Sequence, residues 1–178
     1  MGFFSNLFST DEELARQYLR QVFSTGGQIC TSIAAATQRF DVSFPVNNES
    51  REEISLAILG TSLAILKDNS PLMTAERGAM VEKYCKQAIL KDCDVPAAVI
   101  SKLNNDLDKY QDAYQKAMDS KNDPFGKISG MMLVRLLGPR VKELCLPETG
   151  DLNPIIHMQV GGIFTLAVMG AMKFWKGK

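Results

Sequence analysis

An all-α fold is predicted by three features of this 178-residue sequence: helix-capping signals recur along it, apolar residues return at three- and four-residue spacings, and alternating runs long enough for β-strands are nearly absent. Hydrophobic residues make up 46% of the chain and charged residues 22%, an ordinary globular balance. A chain of this size can bury roughly 70% of its unfolded surface in one core. The expectation is a single all-helical domain over 1–178, a bundle of about six to eight helices.

The elements follow in order. Thr10-Asp11-Glu12-Glu13 spells a capping box that sets three acids at the positive end of a helix, which carries Leu14, Tyr18 and Val22 on one stripe to about Phe23. Thr25-Gly26-Gly27-Gln28 reads as a second box, opening a helix with Ile29, Ile33, Ala36 and Phe40. The paired glycines predict a bend or break between the two. Asp41 to Glu49, with Pro45 and Asn47-Asn48, reads as a loop containing a short extended piece at Val42 to Val46. Ser50-Arg51-Glu52-Glu53 restarts helix, and from Ile54 to Leu66 the chain is apolar nearly all round, the mark of a helix at the centre of a core.

Ser70-Pro71 supplies an N-cap and first helical residue for a helix through Met80, Tyr84, Cys85 and Ile89 to about Leu90. Asp94-Val95-Pro96 starts the next, in which Ile100, Leu103, Leu107, Tyr110, Tyr114 and Ala117 form a narrow seam at spacings of three and four. Its other faces are charged or amide-rich, so it is expected on the outside of the bundle with one face inward, or paired with another chain as a coiled coil. Asp123-Pro124 opens a helix through Ile128, Met131, Met132, Leu133, Leu136 and Leu137 that Gly138-Pro139 ends. A turn and a 146–153 loop lead to Asn153-Pro154, which opens the last helix, 154–174.

Charge and chemistry exclude more than they assign. Lys and Arg number 20 and Asp and Glu 20, so no net field draws a polyanion, and nucleic acid is not expected as a partner. The cysteines Cys30, Cys85, Cys93 and Cys145 form no CxxC pair and sit in or beside apolar helical patterns, which argues against zinc and for a reducing, cytoplasmic setting. No basic segment with a small-residue cleavage site precedes Asp11. A single histidine, His157, excludes the di-iron bundle arrangement with two ExxH motifs. It falls in the first turn of an apolar helix, where a core role is expected over a catalytic one with Cys145 or Cys85. Asp106, Asp108 and Asp112 lack the central glycine of a calcium loop. The acids at Asp11-Glu12-Glu13 and Glu52-Glu53 are explained by the helix macrodipole. The sequence thus predicts no catalytic, cofactor-binding or metal-binding residue.

Two apolar ends carry what functional signal there is. Phe3, Phe4, Leu7 and Phe8 share one face of two helical turns, expected to cover the domain's own core or else to enter a partner groove or lipid interface. Gly2 is followed by Asn6 where myristoylation requires Ser or Thr at the sixth position. Leu152 to Met172 holds 21 residues without a formal charge and precedes Lys173, Lys176 and Lys178, flanks that suit a membrane span. His157, Gln159, Gly161, Gly162 and Gly170 favour a buried central helix instead. Methionines such as Met131, Met132, Met158, Met169 and Met172 would suit an adaptable groove for a small hydrophobic ligand.

Leu146-Pro147-Glu148-Thr149-Gly150, followed by that apolar run and a lysine-bearing tail, resembles the cell-wall sorting signal of Gram-positive surface proteins. The resemblance covers Leu146 to Lys178 and implies cleavage by a sortase between Thr149 and Gly150, with the threonine joined to peptidoglycan. Export, which the family requires, has no signal in this sequence, and the plain reading of the motif is a Pro and Gly loop between helices. The function the sequence predicts is therefore that of a non-enzymatic interaction or structural protein, acting through a protein partner or self-association. Membrane or cell-wall anchoring through 154–174, and binding of a hydrophobic ligand, are the alternatives.

Overall fold

The computed structural model describes residues 10–68, 71–92, 104–112, 114–115 and 154–178. Among them the fold is all-α, with no strand. We label the helices α1 (Asp11–Gln38), α2 (Asn48–Lys67), α3 (Ala75–Asp92), α4 (residues 104–112 and 114–115) and α5 (Pro154–Met172), the last continued by a 3-10 turn at Lys173–Trp175. The first part, 94–103, of the helix expected from Asp94 through Ala117, the helix expected from Asp123-Pro124 to Gly138, the 146–153 loop and the Phe3, Phe4, Leu7, Phe8 segment lie outside the described residues.

The Thr10 capping box forms as the sequence predicts: the Glu13 N–H donates to Thr10 Oγ1 at 3.3 Å and the Thr10 N–H to Glu13 Oε2 at 3.2 Å. The predicted break at Gly26-Gly27 does not occur, and α1 runs 28 residues without interruption. Thr25 caps nothing; its hydroxyl donates back to the Gln21 carbonyl at 2.8 Å, within the helix. Gly26 serves packing instead. A Cβ there would lie 2.0 Å from Ser55 Oγ and 3.1 Å from the Arg51 carbonyl oxygen, so the missing side chain is what lets α1 and α2 cross closely. Asp41, in the left-handed region at φ 58°, turns the chain out of α1.

The loop after α1 holds no strand at Val42 to Val46, and α2 starts at Asn48, two residues before the expected Ser50. Asn47 is its N-cap, accepting from the Ser50 N–H at 2.8 Å. The central position predicted for this helix is borne out. Ile54, Leu56, Ile58, Leu59, Leu63 and Leu66 are all buried, and α1, α3 and α5 pack around them. At the far side, Gly60 admits α4: a Cβ there would stand 2.8 Å from Tyr110 Cβ and 3.0 Å from the Leu107 carbonyl oxygen. The seam of α4 does face inward at Leu107, Tyr110 and Tyr114.

Ser70-Pro71 does not open α3. The helix begins at Ala75, and Thr74 caps it by accepting from the Arg77 N–H at 3.3 Å. Its inward face is Val81, Cys85 and Ala88, while Met80, predicted on the apolar stripe, is 46% exposed. Near its start, Gly78 lies so close to the end of α2 that a Cβ would be 2.6 Å from the Leu66 carbonyl oxygen.

The last helix starts at Pro154, where its Asn-Pro signal places it, but it is not central. Ile156, Val160, Phe164, Val168 and Trp175 pack inward against the bundle, while Ile155, Met158, Leu166 and Met169 are 52–70% exposed. An apolar sequence all round says that a helix has no preferred polar side; here one side packs against the other described helices.

Candidate functional site

Beneath α5 lies a closed aromatic and hydroxyl cluster. Tyr18 on α1 meets Phe174 at a tilt at 5.4 Å and Trp175 edge-on at 5.2 Å, ring centre to ring centre, and those two meet each other edge-on at 5.0 Å. The Tyr18 hydroxyl donates to Ser62 Oγ on α2, and Ser62 passes a hydrogen bond to the Leu59 carbonyl at 2.9 Å. Burial pushes the Tyr18 phenol well above its ordinary range. The Trp175 N–H lies toward that oxygen, enough to favour its ionised form slightly, without the geometry of a full hydrogen bond. The cluster locks the C-terminal turn onto α1 and α2.

A guanidinium ties the same end of the bundle together. Arg77 on α3 pairs with Asp11 at the start of α1, Nη2 to Oδ1 at 2.8 Å, and donates through Nη1 to the Lys178 main-chain oxygen at 2.8 Å. Lys178 Nζ in turn sits 3.9 Å from the centre of the Phe174 ring.

Across the bundle, charged groups of α2, α3 and α4 form a chain of ion pairs. Lys67 contacts Glu82 at 2.6 Å, Lys86 contacts Glu82 at 2.9 Å and Asp108 at 2.8 Å, and Gln111 hydrogen-bonds both Lys67 and Glu82. Burial alone would raise the Glu82 pKa, but the hydrogen bonds from Lys67 and Lys86 outweigh it and hold the carboxyl below its ordinary 4.5. Lys86 is likewise held above 10.5, burial being overcome by Asp108 and Glu82. Folding thus contributes stability through Glu82 that is present above about pH 4.5 and lost as pH falls through the lower folded value. Glu82→Gln is expected to flatten the fall in urea midpoint below pH 4.5 relative to the parent, while changing the slope between pH 6 and 8 little. An unchanged acid limb would show that the cluster does not act in folding.

Among the described residues, the sequence's chemistry candidates do not come together at one site. Cys30 and Cys85 are buried; burial raises both thiols, Cys85 to about 12, and its Sγ–H points to the Ala15 carbonyl at 3.9 Å. His157 falls on α5, while Cys93, Cys145 and the Leu146–Gly150 motif lie outside the described residues. Asp108 is an ion-pair partner of Lys86. Among the described residues no group of three His, Cys, Asp or Glu side chains is arranged to hold a metal ion. Sequence reasoning missed Glu53: α2 begins earlier than Ser50, so this acid falls in its second turn, where it is buried and accepts from the Tyr110 hydroxyl.

What the structure does present is the outer face of α5. Met158 is 61%, Leu166 70% and Met169 56% exposed, with Ile155 at 52%. Gly162 and Gly170 share that face, and a Cβ at either would meet nothing within 4 Å. A helical glycine costs about 0.8 to 1.0 kcal/mol relative to alanine, so two of them on an open face offer close approach to something outside the described helices. Among the described residues no helix is long and apolar enough to cross a membrane, and α5 buries Phe164 and Trp175 in the bundle. Compared with protein-family models, curated proteins and solved structures, the chain matches none of them.

Proposed function

We propose that this is a non-enzymatic interaction protein of the cytoplasm, whose binding surface is the outer face of α5. The observation that carries the reading is the exposure of Ile155, Met158, Leu166 and Met169 on one face of a helix whose other face is locked into the core. The largest exposed apolar patch on a soluble domain is often a functional one. The polar groups support the same reading: the charged side chains between α2, α3 and α4 satisfy one another, and the described thiols are closed off and held protonated.

A photo-crosslinking amino acid placed at Leu166 in cells tests this. It is expected to give a discrete adduct, identified by mass spectrometry, that the same probe at exposed Lys91 does not give. Equal, diffuse labelling from both positions would refute the assignment of the surface. A lipid adduct specific to Leu166 would keep the surface and move its use to a membrane interface.

A further inference from the structure

We infer that the occupant of the α5 face is a second copy of this chain, with the two helices antiparallel about a two-fold axis near Phe164. The inference rests on the reading of that face as a binding surface. Met158, Gly162, Leu166 and Gly170 follow one another at four-residue steps and therefore lie in a single ridge along the helix. Within it, exposed bulk alternates with empty space: Met158 and Leu166 are 61% and 70% exposed, and Gly162 and Gly170 have nothing within 4 Å of an added Cβ.

Reversing this row about its midpoint sets each large side chain over a gap. Leu166 of one copy falls on Gly162 of the other, and Met158 falls on Gly170. A parallel pair would set Met158 on Met158 and glycine on glycine, giving a collision beside a void. Self-complementarity of one patch is what a two-fold dimer requires. A lipid surface, which has no fixed shape, gives no reason for bulk and gap to alternate.

The area agrees. Ile155, Met158, Leu166 and Met169, at 52–70% exposure, leave roughly 500 Å² open on one copy and so about 1,000 Å² on two, the lower bound for a specific interface. An interface that small predicts a reversible dimer.

Sedimentation velocity of the full chain, up to about 200 μM, is expected to show a monomer–dimer equilibrium that Leu166→Glu weakens at least about tenfold with an unchanged circular dichroism spectrum. The register is tested by cross-linking with Cys93 and Cys145 replaced by serine. Met158→Cys with Gly170→Cys is expected to give a disulfide-linked dimer, and either change alone is not. The two positions lie about 18 Å apart along one helix, too far to join within a chain. A parent that stays monomeric throughout the range overturns the proposal, as does linkage by either single variant. A monomer that binds phosphatidylcholine and phosphatidylglycerol vesicles, and loses that binding with Leu166→Glu, would overturn self-association while leaving the α5 face a binding surface.

Discussion

A fragment ending at Gly150 is expected to lose cooperative folding. The inward row of α5 and its terminal turn contains Ile156, Val160, Phe164, Val168 and Trp175, each at most 3% exposed. Burial of side chains this size is worth about 1.5 to 3 kcal/mol each, roughly 10 kcal/mol together, against a total stability of about 5 to 15 kcal/mol for an ordinary domain. The loss is greater than that row alone, because truncation also uncovers Tyr18 and the faces of α1 and α2 that α5 covers. Far-ultraviolet dichroism and a thermal melt of the fragment provide the measurement. A soluble fragment with a sharp transition would mean that α5 is an appendage, and would bring the anchoring alternatives forward.

Replacing Gly78 and Gly162 by alanine should give changes of opposite sign. At Gly78 the new methyl would stand 2.6 Å from the Leu66 carbonyl oxygen and 2.9 Å from its carbon, and main chain cannot rotate aside as a flexible side chain does. Overpacking costs about 1 to 3 kcal/mol, set against about 0.5 to 1 kcal/mol gained in helix propensity, so Gly78→Ala is expected to destabilise by about 1 to 2 kcal/mol. At Gly162 nothing lies within 4 Å, and only the propensity gain remains. Gly162→Ala should stabilise the monomer by about 0.5 to 1 kcal/mol. Urea denaturation of the two variants at low protein concentration checks both signs. A stabilised Gly78→Ala would show that α2 and α3 are not as close as described.

The sequence carries local rules well and spatial ones poorly. The Thr10 box marks its helix start because capping is settled within a few residues. The all-round apolar stretch from Ile54 to Leu66 announces a central helix because no face of it tolerates water. Gly26-Gly27 misleads because glycine has two uses, breaking a helix or admitting a neighbour, and the neighbour here is Ser55, far along the chain. Ser70-Pro71 misplaces the start of α3, which begins at Ala75 with Thr74 accepting from the Arg77 N–H and Gly78 lying against the end of α2. For α5 the difficulty is symmetry: with apolar residues all round, the sequence cannot say which face is left outside. Its exposed ridge, and with it the candidate surface, becomes visible only once α1 and α2 are in place.

The two described thiols make local opening observable. Cys30 lies on α1 toward the Arg51 region of α2, and Cys85 lies on α3 against Ala15 of α1; neither exposes any surface in the native state. A thiol reagent can reach each one only during excursions that part its own seam. With Cys93 and Cys145 replaced, the labelling rate of each would report a separate opening free energy, with global unfolding as the ceiling for both. The protein thus carries native reporters at two helix seams, able to distinguish parting of α1 from α2 and parting of α1 from α3.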